Sequence, residues 1–222
     1  MKYTISIFLF STLLAFAPAT AHTETLIQVV VDHSGVLHDE QDSQGKSTFN
    51  KYLESFFDRM ARQYRRDRDS TAIKIISAVE PPHIIWSGNA TEFYRTGLKS
   101  PPMQGVIHDA PNGCNNLIVA LDEVSVNARI ADSVTATDDI VHIITSGVHS
   151  GPNCHDLKQS DYAQLVATLD TELSEALKRK SQEFSNLSIH FLTAPQRRAL
   201  FEQFHKGETK IDLFTQGDQP PF

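Results

Sequence analysis

Cysteine is nearly absent from this chain, with two among 222 residues. Two thiols cannot build a disulfide-dense miniature scaffold or a four-thiolate zinc site. Basic residues are also in deficit, 20 Lys and Arg against 27 Asp and Glu for a formal net charge of -7. Such a balance repels phosphate backbones and anionic lipid, so nucleic acid is not an expected partner. The one dense basic run, Arg59, Arg62, Arg65, Arg66 and Arg68, is interrupted by Asp58, Asp67 and Asp69, the pattern of a solvated helix face. Past residue 17 no apolar run has the length to cross a bilayer, and no repeat or low-complexity tract is visible. What remains is 40% hydrophobic and 21% charged, the composition of one ordinary globular domain.

The first segment is different in kind. Lys2 precedes an apolar run from Ile5 to Ala17, then Pro18 and the small-residue pattern Ala19-Thr20-Ala21, which suits a signal peptide cleaved before His22. The expected organisation is a signal peptide at 1–21, one domain at 22–214 and a tail at 215–222, exported to the periplasm or secreted, with no stable membrane insertion after cleavage. A membrane anchor is the alternative reading of the same run. In an oxidising compartment Cys114 and Cys154 can form one intramolecular bridge. Closing that loop would remove about 4 kcal/mol of unfolded-chain entropy before strain. A Cys154/His155 nucleophile pair is the functional rival, and a bridged sulfur would exclude it.

Along the chain, short apolar runs alternate with helical periodicity. Leu26–Val31 reads as a strand covered on both faces. Phe49, Leu53, Phe56, Phe57, Met60 and Tyr64 recur at steps of three and four, predicting a helix capped by Ser47 or Thr48. Ala72–Val79 and His83–Trp86 are separated only by a break at Pro81-Pro82, too short for a crossover helix, so they are expected to pair antiparallel. A short helix over Ala90–Arg95 is followed by a stretch with three prolines, Gly97–Gly113, read as loop. A helix from Asn116 through Ala128, a strand over Asp139–Thr145, a loop over Val148–Ser160 and a long helix over Tyr162–Leu177 come next. The strand Leu187–Leu192, a helix after Pro195 and a short edge strand over Lys210–Phe214 complete the pattern. The fold class expected is α/β and doubly wound: a mostly parallel central sheet with one antiparallel edge strand and helices on both faces.

In such a sheet, functional loops lie beyond the carboxyl ends of the parallel strands. The residues there are Val31-Asp32-His33-Ser34-Gly35, Gly113-Cys114-Asn115-Asn116-Leu117 and Ile143-Ile144-Thr145-Ser146-Gly147. In order and spacing they resemble the three signature segments of a von Willebrand factor type A domain: DxSxS, a GGTNL-like helix entry and ITDG. The resemblance covers nearly the whole chain after residue 21. It implies a three-layer sandwich whose loops bind a protein partner, in many members through Mg²⁺ or another divalent cation held by hydroxyls and carboxylates. Carried over, Asp32 and Ser34 match the first segment and Asn115 falls at the threonine position, which makes Asp32, Ser34 and Asn115 the candidate metal ligands. Val36 stands where a second serine is expected, and Ser146 replaces the aspartate of the third segment, so the full metal site is not expected. The alternative role for Asp32 and Ser34 is to hydrogen-bond the neighbouring loop. The resemblance also places Cys114 and Cys154 on the same face, where a bridge would staple two loops that an ion draws together in the family.

The histidines allow a different metal reading. His33, His38, His108, His149 and His155 lie in segments with Asp32, Asp109 and Asp156 that the fold can bring towards one end, a donor set suited to Zn²⁺ or Cu²⁺. None has the HExxH spacing of a zinc hydrolase, and His142 and His190, inside strands, are expected to be core residues. Gly45-Lys46-Ser47 lacks the earlier glycine of a phosphate loop, since Glu40 stands there, and Gly147–Gly151 is not GxSxG. The sequence therefore points to an exported protein-interaction module rather than an enzyme, with Asp32, His33, Ser34, Asn115, Ser146 and His149 on its binding face. A metal-dependent hydrolase using the His and Asp residues of that face, and an adhesion domain with a non-standard metal site, are the alternatives.

Overall fold

The computed structural model describes residues 24–32, 47–66, 70–108, 114–132, 137–145, 171–184, 186–191 and 211–215. Its centre is a six-stranded sheet in the order β3-β2-β1-β4-β5-β6. The strands are β1 (Glu24–Val31), β2 (Thr71–Ser77), β3 (His83–Asn89), β4 (Thr137–Thr145), β5 (Asn186–Phe191) and β6 (Ile211–Thr215). All adjacent pairs run parallel except β2 and β3, which are antiparallel as their short connection requires. The strand at residue 211 runs one residue further than the sequence pattern suggests, to Thr215.

Apolar residues on alternating positions of β1 face two separate cores. Val30 packs with Leu117, Leu121 and Val124 of helix α4 (Leu117–Asp132) and with Leu173 and Leu177 of helix α5 (Thr171–Glu183). Ile27, Val29 and Val31 pack with Phe49, Leu53, Phe56, Phe57 and Met60 of helix α1 (Thr48–Tyr64). A strand buried on both sides has no polar face to show, which is why β1 reads as a nearly continuous apolar run, interrupted at Gln28, whose Nε2 donates to the Val124 carbonyl at 3.0 Å. The α1 phenylalanines are fully buried, and truncating one to alanine in such a core costs about 3–5 kcal/mol. Ser47 starts α1 as expected, its side chain accepting from the Asn50 amide at 3.1 Å.

The stretch 97–113, expected to be loop, is corrected by the structure over its described part. A 3₁₀ turn at Gly97–Lys99 leads into helix α3 (Pro101–His108), which follows the short helix α2 (Ala90–Arg95). Pro101 and Pro102 occupy the first turn, where a helix needs no amide donors, so these prolines begin a helix rather than prevent one. Gln104 then closes the start by donating from Nε2 to the Leu98 carbonyl at 2.7 Å. Helix α2 is set by a capping box, Asn89 and Glu92 each bonding the other's backbone amide.

At the amino end of β4 the charge distribution works against the fold. The Asp139 carboxyl is pushed up to about 6, first by burial and then by Asp132, Asp138 and Glu183. A carboxyl whose pKa rises on folding subtracts stability above that pKa, and the penalty is relieved as pH falls through 6 towards its ordinary value. Because the group is partly solvated, solvent screening reduces the penalty to on the order of 1 kcal/mol. Asp139→Asn is expected to raise the melting temperature at pH 7 and to lose that advantage by pH 4, as thermal melts at the two pH values will show.

Candidate functional site at the carboxyl ends of the strands

Parallel pairing of β1 with β4 sets Val31 opposite Ile144, so the next residues of each strand, Asp32 and Thr145, come level with one another. Both are fully buried. Thr145 donates from Oγ1 to Asp32 Oδ2 at 2.8 Å, and the Asp32 amide donates to the Ile144 carbonyl at 2.8 Å. The carboxylate predicted from the first segment is thus turned inward onto the third. Thr145 was not singled out by the sequence. Its signal was its place directly before Ser146, in the same segment.

The second segment is tied in through β2. Ala78 donates its amide to the Val31 carbonyl at 2.9 Å and accepts from the Asn116 amide at 2.6 Å. The Glu80 amide donates to the Cys114 carbonyl at 2.8 Å, and Asn115 forms an isolated antiparallel bridge with Val79. Asn116 then caps α4, its Oδ1 accepting from the Val119 amide at 3.2 Å. The ends of β1, β2 and β4 and the entry to α4 therefore form one hydrogen-bonded rim. Asp32, Asn115 and Cys114 are all buried in it, and no free cysteine occurs among the described residues. Of the other predicted face residues, His33, Ser34, Ser146 and His149 lie outside the described residues, as do Val36 and Cys154.

A divalent cation of the kind the resemblance implies needs about six oxygen ligands. The described part of the rim offers the buried Asp32 carboxylate, the Thr145 hydroxyl that donates to it and the buried Asn115 carboxamide. Among the described residues no group of three or more His, Cys, Asp and Glu converges. These donors alone do not make up such a shell, and no chemistry is routed through a metal. For the histidine reading, His33, His38, His149, His155, Asp109 and Asp156 lie outside the described residues.

The two strand histidines are core residues, as expected, and they form a unit that the sequence does not show. On the α1 side, His142 Nδ1 lies 3.1 Å from His190 Nε2, and His190 Nδ1 bonds the Tyr52 hydroxyl. Phe56 sits edge-on to both imidazoles, with ring centroids 5.2 Å from each. A neutral imidazole has one donor and one acceptor nitrogen. With Tyr52 donating to Nδ1, His190 donates onward to His142; with the other tautomers both directions reverse. Burial holds His142 down to about 4, and burial followed by the neighbouring His142 holds His190 well below its ordinary value. This polar thread fastens α1 to β4 and β5 beneath the rim.

No protein-family model matches the chain, and no curated protein matches it in sequence. Solved structures do resemble it. The PilB minor pilin from Streptococcus sanguinis superposes with a TM-score of 0.57 at 10% identity, over 91% of this chain and 59% of that one. The manganese-loaded TRAP protein of Plasmodium vivax gives 0.53 at 13% identity, over 88% and 70%. The von Willebrand factor A domain of SpRpn10 gives 0.50 at 9% identity, over 87% and 88%. At such identities the likeness establishes architecture, and that architecture is the von Willebrand factor type A fold.

Proposed function

We propose that the chain is an exported protein-interaction module that binds a protein partner through the rim at the carboxyl ends of its strands, without the full metal site. The observation that carries this reading is the Thr145–Asp32 bond. It commits the carboxylate matching the metal-site aspartate to joining two loop bases, so the rim is set by protein contacts and the loops beyond it are presented on a fixed frame. The fold is shared with a pilin, a TRAP protein and an Rpn10 domain, and such a fold serves many unrelated roles, so the site must carry the functional weight. Export rests on the apolar run from Ile5 to Ala17 and the Ala19-Thr20-Ala21 pattern. Among the described residues no helix is long and apolar enough to cross a membrane.

A disulfide between Cys114 and Cys154 belongs to the same proposal. Cys114 is buried in the rim and is not a free thiol, and Cys154 is the chain's other cysteine. Val36 and Ser146 in place of a hydroxyl and a carboxylate support the view that a covalent link does the work of an ion.

Two measurements test the reading. Melting temperatures in EDTA and in millimolar Mg²⁺, Mn²⁺ or Ca²⁺ are expected to coincide, because a ligand that binds only the folded state raises stability in proportion to the logarithm of its concentration over its dissociation constant. An ion-dependent rise removed by Asp32→Ala would establish the adhesion site instead. In affinity capture from the extracytoplasmic fraction, Ser146→Arg is expected to abolish retention of the partner that the parent chain retains, while Arg62→Ala on α1 leaves it intact. Equal capture by all three would overturn the rim as the binding face.

A further inference from the structure

At the β3 side of the sheet the two faces are covered unequally. Helices α2 and α3 pack on one face of β2 and β3, in the core they share with α1. The other face belongs to α4, which lies over β1 and β4, and the core beneath it takes Ile76 and Ala78 from β2 but no residue from β3. Burial stops between the two strands. Ile76 is fully buried, while Ile84, opposite it in the antiparallel ladder and so on the same face, is 42% exposed. Ser87, opposite Lys74, is exposed as well, and so is Ala72. Strand β3 lies two strands from β1, about 10 Å at ordinary strand spacing, which is also the spacing of packed helices. The bare strip beside α4 is therefore one helix wide.

The flank of α4 that borders this strip is largely apolar. Lys74 Nζ donates to Asn127 Oδ1 at 2.8 Å, which turns Asn127 towards β2, whereas Ser125 and Asp122 meet Lys180 of α5 on the opposite flank. Ile130 lies three residues after Asn127 and Glu123 four before it. Val119 and Val126 lie four before and three after Glu123, so all four share the flank of Asn127. Val119, Val126 and Ile130 are 48%, 40% and 57% exposed. With Ile84 they are four of the five large exposed apolar residues among the described ones, and the fifth, Tyr94, is on α2 across the sheet. Apolar side chains standing singly on a surface call for no account, but these line one strip.

Width and charge identify the occupant. Lys74, two residues before Ile76 and on the same face of β2, is half-buried in the floor of the strip. Its acceptor is a neutral carboxamide, and the ion pairs among the described residues do not include it. Glu123 shares the flank of α4 without pairing with it. An ammonium held by an amide alone gains from a carboxylate that arrives in a contact excluding water, and would be left uncompensated by a wholly apolar cover. We infer that this strip is a second docking surface, separate from the rim, which takes an amphipathic helix of a protein partner. The helix lies beside α4, sets an apolar stripe on Ile84, Val119 and Ile130, and presents an Asp or Glu to Lys74.

Selection on the purified protein from a displayed library of helices about five turns long tests this, with apolar residues fixed at i, i+4, i+7 and i+11 and the other positions varied. The expected binders carry an Asp or Glu beside the stripe. Their affinity should fall at least about tenfold, the equivalent of 1.4 kcal/mol, on Ile130→Asp and on Lys74→Gln, and stay unchanged on Ser146→Arg at the rim. Replacing the acid of a selected helix by its amide should weaken binding to the parent but not to Lys74→Gln. Ile130 is exposed and Gln can still donate to Asn127, so both variants should keep the circular dichroism of the parent; Val119→Asp replaces either one that fails to fold. A library that yields no binder overturns the inference, as do helices that bind Ile130→Asp as tightly as the parent or bind equally in acid and amide form. So does a parent chain whose self-association Ile130→Asp abolishes, since a second copy would then be the occupant.

Discussion

Acidification from pH 7 to pH 4 should destabilise this domain by about 3 kcal/mol through His142 alone. The buried imidazole titrates near 4 in the fold against an ordinary 6.5. A histidine whose pKa falls on folding contributes stability that is intact above 6.5 and is lost as pH drops towards 4, because the unfolded chain takes up a proton that the folded chain refuses. His190, bonded to both Tyr52 and His142, adds a loss of the same sign. Protonating both rings also sets two N–H donors against each other across their shared bond. Neutral residues stand beside the pair. Phe56 flanks it from α1, Val29 is the β1 residue in register with His142, and Ser188 is the β5 residue in register with it. Asp139 works in the opposite direction, but its exposure makes it the smaller effect. Denaturant titrations at pH 7, 6, 5 and 4 should show a falling midpoint, and in His142→Gln the slope with pH should flatten. An equal slope in parent and variant would remove the histidine pair as its cause.

The second large effect expected is redox dependence. Joining Cys114 to Cys154 closes a loop of about forty residues, and releasing it returns about 4 kcal/mol of entropy to the unfolded chain. Reduction, or Cys114→Ser, is expected to lower the melting temperature of a domain this size by roughly 10 °C. Cys114 is buried where its carbonyl accepts from Glu80, so the reduced protein should remain folded with its rim loosened, and partner capture should weaken more than secondary structure does. Free Cys114 in a non-reducing peptide map of the purified protein would end the proposal.

The strands were legible because burial on both faces leaves no polar alternation in β1, and α1 because its phenylalanines return every third or fourth position. Helix α3 was not, since Pro101 and Pro102 end a helix when they follow one and begin it when they lead, and composition does not distinguish the two. In the rim, Asp32 was found by its motif, but its partner was not. That Thr145 meets Asp32 depends on the register between strands more than a hundred residues apart, and local spacing carries no trace of register. The Tyr52–His190–His142 thread was hidden for the same reason: three elements contribute one ring each, and none looks unusual in its own segment.

Trp86 is the chain's only tryptophan, and its ring lies so close over Gly88 and Gly97 that a Cβ on either would come within about 3 Å of it. Indole emission therefore reports on a single corner, where β3, α2 and the 3₁₀ turn meet, far along the sheet from the histidine thread. Optical melts of this protein compare two separate places: fluorescence follows the β3 corner and circular dichroism the whole. Any gap between the two curves would show the edge strand opening before the rest of the domain unfolds.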